Sequence, residues 1–218
     1  MILAAMETTA AWQIGLVLAA YVLGCLNTGY YLVRLKTGRD VRTTGSGNSG
    51  ARNVGRILGK TGFVVTLAGD LSKGVIAVAL AKVLHGAPTT IALACIAVVA
   101  GHLWPIQLGF RGGKGAATGC GAFLALEPLT TVILLIVCGL LYVMLRRSSL
   151  SAMIALGISP LLAFLLGRAP TIVAGYAGVA ALVVISHLGN LRAEVMGGRK
   201  GPSNEGFRKD ASLPAGKP

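Results

Sequence analysis

Long apolar runs alternate with short polar stretches along this chain, and the runs are long enough to cross a lipid bilayer. A hydrocarbon core about 30 Å thick needs about 20 apolar residues in a helix. We therefore predict an all-α, polytopic membrane protein with about seven transmembrane helices. The predicted crossings are Ala11–Val33, Gly62–Leu84, Thr90–Leu108, Ala116–Leu126, Leu129–Leu145, Leu150–Leu166 and Thr171–His187. The fourth is short and glycine-rich, which is typical of a half-helix or of the second half of a broken segment.

The basic residues between the apolar runs predict an orientation. Seven Lys and Arg lie from Arg34 to Lys60, and further basic residues follow in alternate loops. The intervening loops contain only Lys82, at a helix end, and Arg168. Cytoplasmic loops collect Lys and Arg, so we predict the N-terminus outside the cell and the C-terminus in the cytoplasm. An odd number of crossings agrees with that orientation.

Composition supports a membrane protein and argues against other classes. Apolar residues make up 54% of the 218 residues and charged residues only 12%, about half the charged share of a soluble domain. The net charge of +13 lies in the loops with few aromatic residues, so no nucleic-acid partner is predicted. We predict one membrane domain, residues 1–196, and a disordered cytoplasmic tail, residues 197–218, which is polar and rich in Gly and Pro.

The four cysteines lie in or beside apolar runs and have no CxxC spacing. Such residues are typical of small buried thiols. No motif with the spacing of metal ligands is present either. We therefore predict neither a metal nor a cofactor.

The stretch GGKG, formed by Gly112, Gly113, Lys114 and Gly115, directly precedes the predicted fourth helix. Glycines let backbone N–H groups approach a ligand, a helix N-terminus adds unpaired donors, and the lysine adds a full charge. These features suit a phosphate site. The same glycines would equally suit close helix packing, and the residues alone leave both interpretations open.

A second polar loop, GSGNSG from Gly45 to Gly50, lies on the same predicted face. Ser46 and Asn48 can donate and accept hydrogen bonds, and Arg56 can bind phosphate oxygens with two parallel bonds. A flexible turn beside a solvated basic surface is the alternative. Two such loops on one face of a membrane protein favour an anion site.

Two histidines and one pair of charges lie at helix positions. His102 and His187 end the third and seventh crossings, where each can be structural or can act as a base or orient a hydroxyl. Asp70 and Lys73 lie one turn apart in the second crossing. Ionisable residues at membrane depth indicate function by default, although an ion pair that only stabilises the bundle is equally compatible.

At these residues the sequence resembles the bacterial acyl-phosphate:glycerol-3-phosphate acyltransferases, the PlsY family. The family's first motif, G-S-G-N-x-G-A-T-N with a later Arg, is matched by GSGNSGARNVGR. Its second motif, G-H-x-x-P followed by F-x-G-G-K-G-x-A-T, is present as GHLWPIQLGFRGGKGAAT. Its third, H-x-x-N, is matched by His187 to Asn190. The similarity spans nearly the whole chain.

The resemblance implies an enzyme that moves a fatty acyl group from acyl phosphate to glycerol 3-phosphate, giving lysophosphatidic acid and phosphate without a covalent acyl-enzyme. It also implies a multi-pass protein of the bacterial cell membrane with its active site facing the cytoplasm. A soluble acyl-phosphate synthase would supply the donor. Two phosphate-bearing substrates would use both anionic loops.

The resemblance also suggests site residues. The expected catalytic residues are Ser46, Asn48, Arg56, His187 and Asn190. The expected substrate-binding residues are Gly112, Gly113, Lys114, Gly115, Thr118, Ser149, Arg52 and His102.

Some positions depart from the family pattern. Arg52 stands where the family has Thr, and Ser186 stands where an arginine usually precedes the third-motif histidine. An altered acceptor, or a divergent member that only binds an anionic lipid or another phosphate ligand, is therefore an alternative. An organic-anion transporter is a third, but the sequence has no evident internal repeat of the kind on which many transporters are built.

Overall fold

The computed structural model describes the backbone of residues 2–195 and the side chains of residues 9–147 and 150–187. In this part of the chain helices are the only regular elements, which confirms the all-α prediction. The α-helices are α1 Ile2–Cys25, α2 Thr28–Thr37, α3 Ala51–Val83, α4 Pro88–Leu103, α5 Ala116–Leu126, α6 Pro128–Leu145, α7 Ser148–Leu165 and α8 Pro170–Val195. Short 3-10 turns lie at Val41–Thr43 and Ile106–Leu108. The predicted disordered tail lies outside the described residues.

Five stretches of the described chain are long and apolar enough to cross a membrane. They are Thr9–Thr37, Ala51–Val83, Pro88–Leu108, Pro128–Leu145 and Pro170–His187. The shorter apolar helices Ala116–Leu126 and Leu150–Leu165 coincide with the predicted fourth and sixth crossings. The orientation and the exact number of crossings remain predictions.

The first predicted crossing, Ala11–Val33, falls within the candidate span Thr9–Thr37, but it consists of two helices because the chain breaks between α1 and α2. Asn27 leaves the helical path, and its Nδ2 donates to the backbone carbonyl of His102 at 3.1 Å. The break frees the carbonyl of Leu26, which accepts a hydrogen bond of 2.8 Å from the ammonium of Lys73. Polar side chains from other helices therefore satisfy the backbone at the break.

Helix α3 begins well before the predicted crossing at Gly62. Its first two turns are followed by a kink at Gly59, whose φ of +71° is non-helical. Val54, in those turns, is fully buried against Val33 and Val41. This small apolar cluster holds residues 51–56, the second part of the first motif, on a helix, whereas residues 45–50 form the predicted loop.

Glycines bring the helices of the bundle into close contact. A Cβ atom on Gly24 of α1 would overlap the backbone of Val98 in α4, and one on Gly121 of α5 would overlap the backbone of Leu71 in α3. The central core lies around α4, α5 and α8, where the rings of Phe123 and Tyr176 are 4.1 Å apart. This packing fixes the helix ends that carry the polar motifs.

Candidate active site

The first loop, residues 44–50, is shaped by a buried asparagine beneath it. Asn53 donates to the carbonyl of Thr44 at 2.9 Å and accepts from the backbone N–H of Ser46, also at 2.9 Å. Gly45, which packs against the same amide, has a left-handed φ of +62°. The amide therefore holds the loop in one conformation, with the side chain of Ser46 exposed above it.

The remaining predicted residues of the first motif lie around this loop. Asn48 is half-buried, and its side-chain oxygen accepts a 3.2 Å hydrogen bond from the N–H of Gly50. Arg52 and Arg56 are exposed and lie one turn apart on α3, so they share a face of that helix. The N-terminus of α3 adds backbone donors beside them. The arrangement suits an anion.

The second loop, residues 109–115, folds back against the end of α4. The N–H groups of Gly112 and Gly113 donate to the carbonyls of Leu103 and His102, each at 3.0 Å. A Cβ atom on either glycine would overlap His102. These two glycines therefore serve close packing, and their N–H groups are used inside the protein. The backbone donors left for a ligand are those at the start of α5, where a helix N-terminus lacks internal partners.

Lys114 lies half-buried in this loop and brings the two motifs together. Burial lowers the pKa of its ammonium, and the positive charge of Arg52 lowers it further. The charge of Arg52 therefore acts on Lys114 from the first turn of α3. The carbonyl of Lys114 also accepts a 3.1 Å hydrogen bond from the hydroxyl of Ser186 in α8. One lysine thus links α3, the second loop and α8.

His187 is buried beside Ser186 in α8. Its Nδ1 lies 2.8 Å from the carbonyl oxygen of Val183. A carbonyl only accepts, so Nδ1 carries the hydrogen and Nε2 has a free lone pair in the neutral ring. Nε2 can therefore accept a hydrogen bond from a hydroxyl. The side chains of Asn190 and Ser149 lie outside the described residues.

The structure places the other predicted binding residues deeper in the bundle. The side chain of Thr118 is fully buried in α5, and a Cβ atom on Gly74 of α3 would overlap its carbonyl oxygen. The ring of His102 is buried beneath Gly113. Thr118 and His102 are therefore buried beneath the loops in this conformation, and they support the candidate site from within the bundle.

Sequence reasoning missed the arginine that joins the two loops. Arg42 donates to both carboxylate oxygens of Asp40 and, at 2.7 Å, to the carbonyl of Leu108. This ion pair lowers the pKa of the Asp40 carboxyl. Arg42 is one of seven basic residues in its segment, and nothing in the sequence distinguishes it.

Asn27 was also missed, although it did carry a signal, because a polar amide in an apolar run is unusual.

An apolar cleft opens beside the second loop. Helices α5, α6 and α7 enclose a half-open space of about 110 Å³. Ala116, directly after Gly115, lies at its wall together with Cys120, Leu134 and Leu156. The polar loops and an apolar groove therefore adjoin.

Among the residues that the structure describes, His, Cys, Asp and Glu form no group of three or more that could hold a metal.

Comparison with known proteins matches this combination of features. The family model described as glycerol-3-phosphate acyltransferase matches residues 14–197. Glycerol-3-phosphate acyltransferase 1 of Desulfitobacterium hafniense is 42% identical over 177 residues, which cover 81% of this chain and 88% of that protein. The glycerol-3-phosphate acyltransferase of Clostridioides difficile is also 42% identical, over 79% of this chain and 87% of that protein.

Solved structures show the same fold. The crystal structure of PlsY, an integral membrane glycerol 3-phosphate acyltransferase, in its glycerol 3-phosphate form has a TM-score of 0.80 and 30% identity, covering 90% of this chain and 98% of that one. The lysophosphatidic acid form of PlsY has a TM-score of 0.76 over 85% of this chain and 92% of that one. The matched family model spans the two loops, His187 and the residues that line the cleft. The chain therefore belongs to the glycerol-3-phosphate acyltransferase family, whose solved members are integral membrane proteins.

Proposed function

We propose that this chain transfers a fatty acyl group from acyl phosphate to a hydroxyl of glycerol 3-phosphate, giving lysophosphatidic acid and inorganic phosphate. The observation that carries the proposal is the convergence of Lys114, Arg52 and His187 at one end of the bundle, beside an apolar cleft. Cations suit the phosphates of both substrates, and the cleft suits the acyl chain of the donor. PlsY has been solved in forms with glycerol 3-phosphate and with lysophosphatidic acid, which fits the same reaction.

The reaction needs little covalent chemistry from the protein. The hydroxyl oxygen of glycerol 3-phosphate attacks the acyl carbonyl carbon, the bond from that carbon to the phosphate oxygen breaks, and phosphate leaves with the electron pair. Because the acceptor attacks the donor directly, no covalent acyl-enzyme forms, and a substrate phosphate takes the hydroxyl proton. His187 Nε2 holds the acceptor by accepting a hydrogen bond from the second hydroxyl of glycerol 3-phosphate, and Asn190 assists from the same helix.

Charge stabilisation is the main contribution that we assign to the two loops. Lys114 and the first turn of α5 bind the phosphate that leaves, because preorganised cations and helix N-termini stabilise developing negative charge. Arg52 and Arg56 add charge from α3, while Ser46 and Asn48 donate hydrogen bonds from the first loop. Ser149, at the start of α7, is a further residue that we expect to bind glycerol 3-phosphate.

The acyl chain of the donor lies in the cleft between α5, α6 and α7 in this proposal. Ala116, which lines the cleft, directly follows Gly115, so the acyl carbonyl would lie at the second loop and the chain would extend along the cleft toward the bilayer. Burying each CH₂ group contributes about 0.8 kcal/mol. An apolar groove of this kind therefore favours a long-chain donor.

We place the site on the cytoplasmic face of the bacterial membrane, because the Lys- and Arg-rich loops lie at that end. Acyl phosphate is reactive and must be made close to where it is used. A soluble acyl-phosphate synthase is therefore the partner that we expect to supply it.

The test is an assay of the purified protein with acyl phosphate and glycerol 3-phosphate. We expect equal amounts of inorganic phosphate and lysophosphatidic acid, with a much lower rate for Lys114→Ala. Binding of glycerol 3-phosphate without turnover would instead indicate a divergent binding protein. Glycerol 3-phosphate uptake into vesicles without acyl transfer would indicate a transporter.

A further inference from the structure

A buried cluster of three ionisable side chains lies inside the bundle, behind the proposed site. Lys73 Nζ is 3.1 Å from a carboxylate oxygen of Asp70 and 2.7 Å from Nδ1 of His102. All three side chains are 5% exposed or less. Charged groups at such depth are costly unless they are paired, and the proposed chemistry does not use them directly.

Lys73 joins three separate helices through its ammonium group. It donates to the carbonyls of Gly24 and Leu26 at the break after α1, at 3.0 and 2.8 Å, and to His102 of α4. These contacts use its three protons, so Asp70 contributes mainly its charge. Because an ammonium only donates, His102 Nδ1 accepts, and the hydrogen of the neutral ring lies on Nε2. The cluster therefore fixes both the helix break and the histidine ring.

His102 in turn connects the two loops of the site. Its backbone carbonyl accepts from the N–H of Gly113 in the second loop at 3.0 Å and from Nδ2 of Asn27 at 3.1 Å. The side-chain oxygen of Asn27 accepts from the hydroxyl of Ser49 in the first loop at 2.6 Å. A continuous set of hydrogen bonds thus runs from Lys73 through His102 to each loop.

We propose that Lys73, neutralised by Asp70, is a positioning residue that sets the spacing between the two loops through His102. This inference rests on the proposed function, in which each loop holds part of the reacting pair. A displacement of about 1 Å far from the chemistry can lower a rate by about a hundredfold. Loss of Lys73 should therefore lower turnover more than it weakens substrate binding.

The first test compares Lys73→Met with Lys82→Met. Lys82 lies on the same helix, and its ammonium also donates to two backbone carbonyls, those of Ala125 and Leu126, at the other end of the bundle. The number of glycerol 3-phosphate binding sites is counted by calorimetric titration, and kcat is expressed per site. We expect Lys73→Met to lower this kcat by about ten- to a hundredfold. The Kd of the variant for glycerol 3-phosphate should stay within about threefold of the parent value. Lys82→Met should lower Tm with kcat per site unchanged, and an unchanged kcat per site in Lys73→Met would overturn the proposal.

A second pair of variants separates positioning from substrate contact by His102. An Asn side chain places an amide oxygen near the position of Nδ1, where it can accept from Lys73, whereas a Gln side chain extends a polar group toward the position of Nε2. We expect the kcat of His102→Asn to exceed that of His102→Gln by about tenfold, because it keeps the contact to Lys73. The reverse order would show that Nε2 contacts substrate and would contradict the positioning role.

A third measurement does not depend on activity. Spin labels on cysteines replacing Thr43 and Arg111, both exposed, report the distance between the segments that carry the two loops. We expect Lys73→Met to broaden this distance distribution and Lys82→Met to leave it as in the parent. An unchanged distribution in Lys73→Met would overturn the positioning proposal even if the acyl transfer itself is demonstrated.

Discussion

Lys114 and Arg52 place two positive charges close together, although like charges repel. The repulsion and partial burial both lower the pKa of Lys114. Such an arrangement costs free energy when the site is empty, and an anion between the charges offsets it. The phosphate groups of both proposed substrates are anions of that kind.

Replacing Lys114 should therefore remove a charge-assisted hydrogen bond to phosphate. We expect Lys114→Ala to lose about 1.5–3 kcal/mol, or roughly ten- to a hundredfold in kcat/KM. Lys114→Arg should recover only part of the loss, because a planar guanidinium does not fit a site shaped for a point charge. Steady-state kinetics of the three proteins check this, and full activity of Lys114→Ala would remove the lysine from the site.

The lowered pKa of Lys114 predicts an alkaline limit to activity. The protonated lysine binds phosphate, so kcat/KM should fall as the pH rises through this pKa, below the range of an ordinary lysine. Arg52→Thr removes one of the two causes of the shift, so the fall should move to higher pH. The kcat/KM of the same variant should also depend less on salt concentration than that of the parent. Profiles of kcat/KM against pH for both proteins test this, and coincident alkaline limbs would contradict it.

His187 and Asn190 should act on the acceptor substrate. We expect His187→Ala and Asn190→Ala to raise KM for glycerol 3-phosphate with a smaller change in kcat, because they remove binding that is present before the transition state. Titration of each substrate at saturating levels of the other measures both constants. A rise in the KM of acyl phosphate instead would reverse the assignment.

The sequence indicates which residue types lie at the candidate site, but it does not indicate the contacts that they make. Glycines suit both a phosphate loop and close packing, and only the structure shows that the N–H groups of Gly112 and Gly113 bond to α4. The proposed role of Lys114 in binding phosphate rests on its charge and its position in the motif, and the sequence shows both. The contacts of Asn27 and Arg42 depend on tertiary packing, which no local pattern encodes.

At the scale of helices, hydropathy predicted the crossings that are separated by clear polar loops. It missed the break after α1 and the early start of α3. Averaging over an apolar run hides a single amide such as Asn27. The helix can end there because Lys73 donates to the carbonyl of Leu26 at the break, while the Asn27 side chain donates to the carbonyl of His102. The start of α3 was missed for the opposite reason, since its first turns are polar and rich in glycine. The break after α1 and the start of α3 both lie beside the candidate site, where local sequence preferences are often overridden by functional requirements.

The cleft between α5, α6 and α7 leads to a prediction about donor length. Ala152 lines the cleft on α7, and Ala152→Phe should fill part of it. We expect kcat/KM to fall for long-chain acyl phosphates and to change little for short ones, because each CH₂ group excluded from the cleft loses about 0.8 kcal/mol. A series of donors of increasing length checks this. An equal loss at every length would place the acyl chain elsewhere.

At the scale of the whole molecule, the bundle holds two polar loops at one end, and the basic residues between the predicted crossings predict which face of the membrane that end occupies. We expect a cysteine added after Pro218 to resist impermeant thiol reagents in intact cells and to react after the membrane is opened. A cysteine added before Met1 should react in intact cells. Labelling of the C-terminal cysteine in intact cells would reverse the orientation and move the site to the outer face.

The central claim is that an acyl group moves from phosphate to glycerol 3-phosphate by attack at the acyl carbon. The most direct measurement uses acyl phosphate with ¹⁸O at the oxygen that joins carbon to phosphorus, followed by mass analysis of both products. Attack at the acyl carbon predicts that all the label leaves in inorganic phosphate and that the lysophosphatidic acid is unlabelled. Label retained in free fatty acid, with the phosphoryl group transferred to the acceptor or to water, would contradict the account.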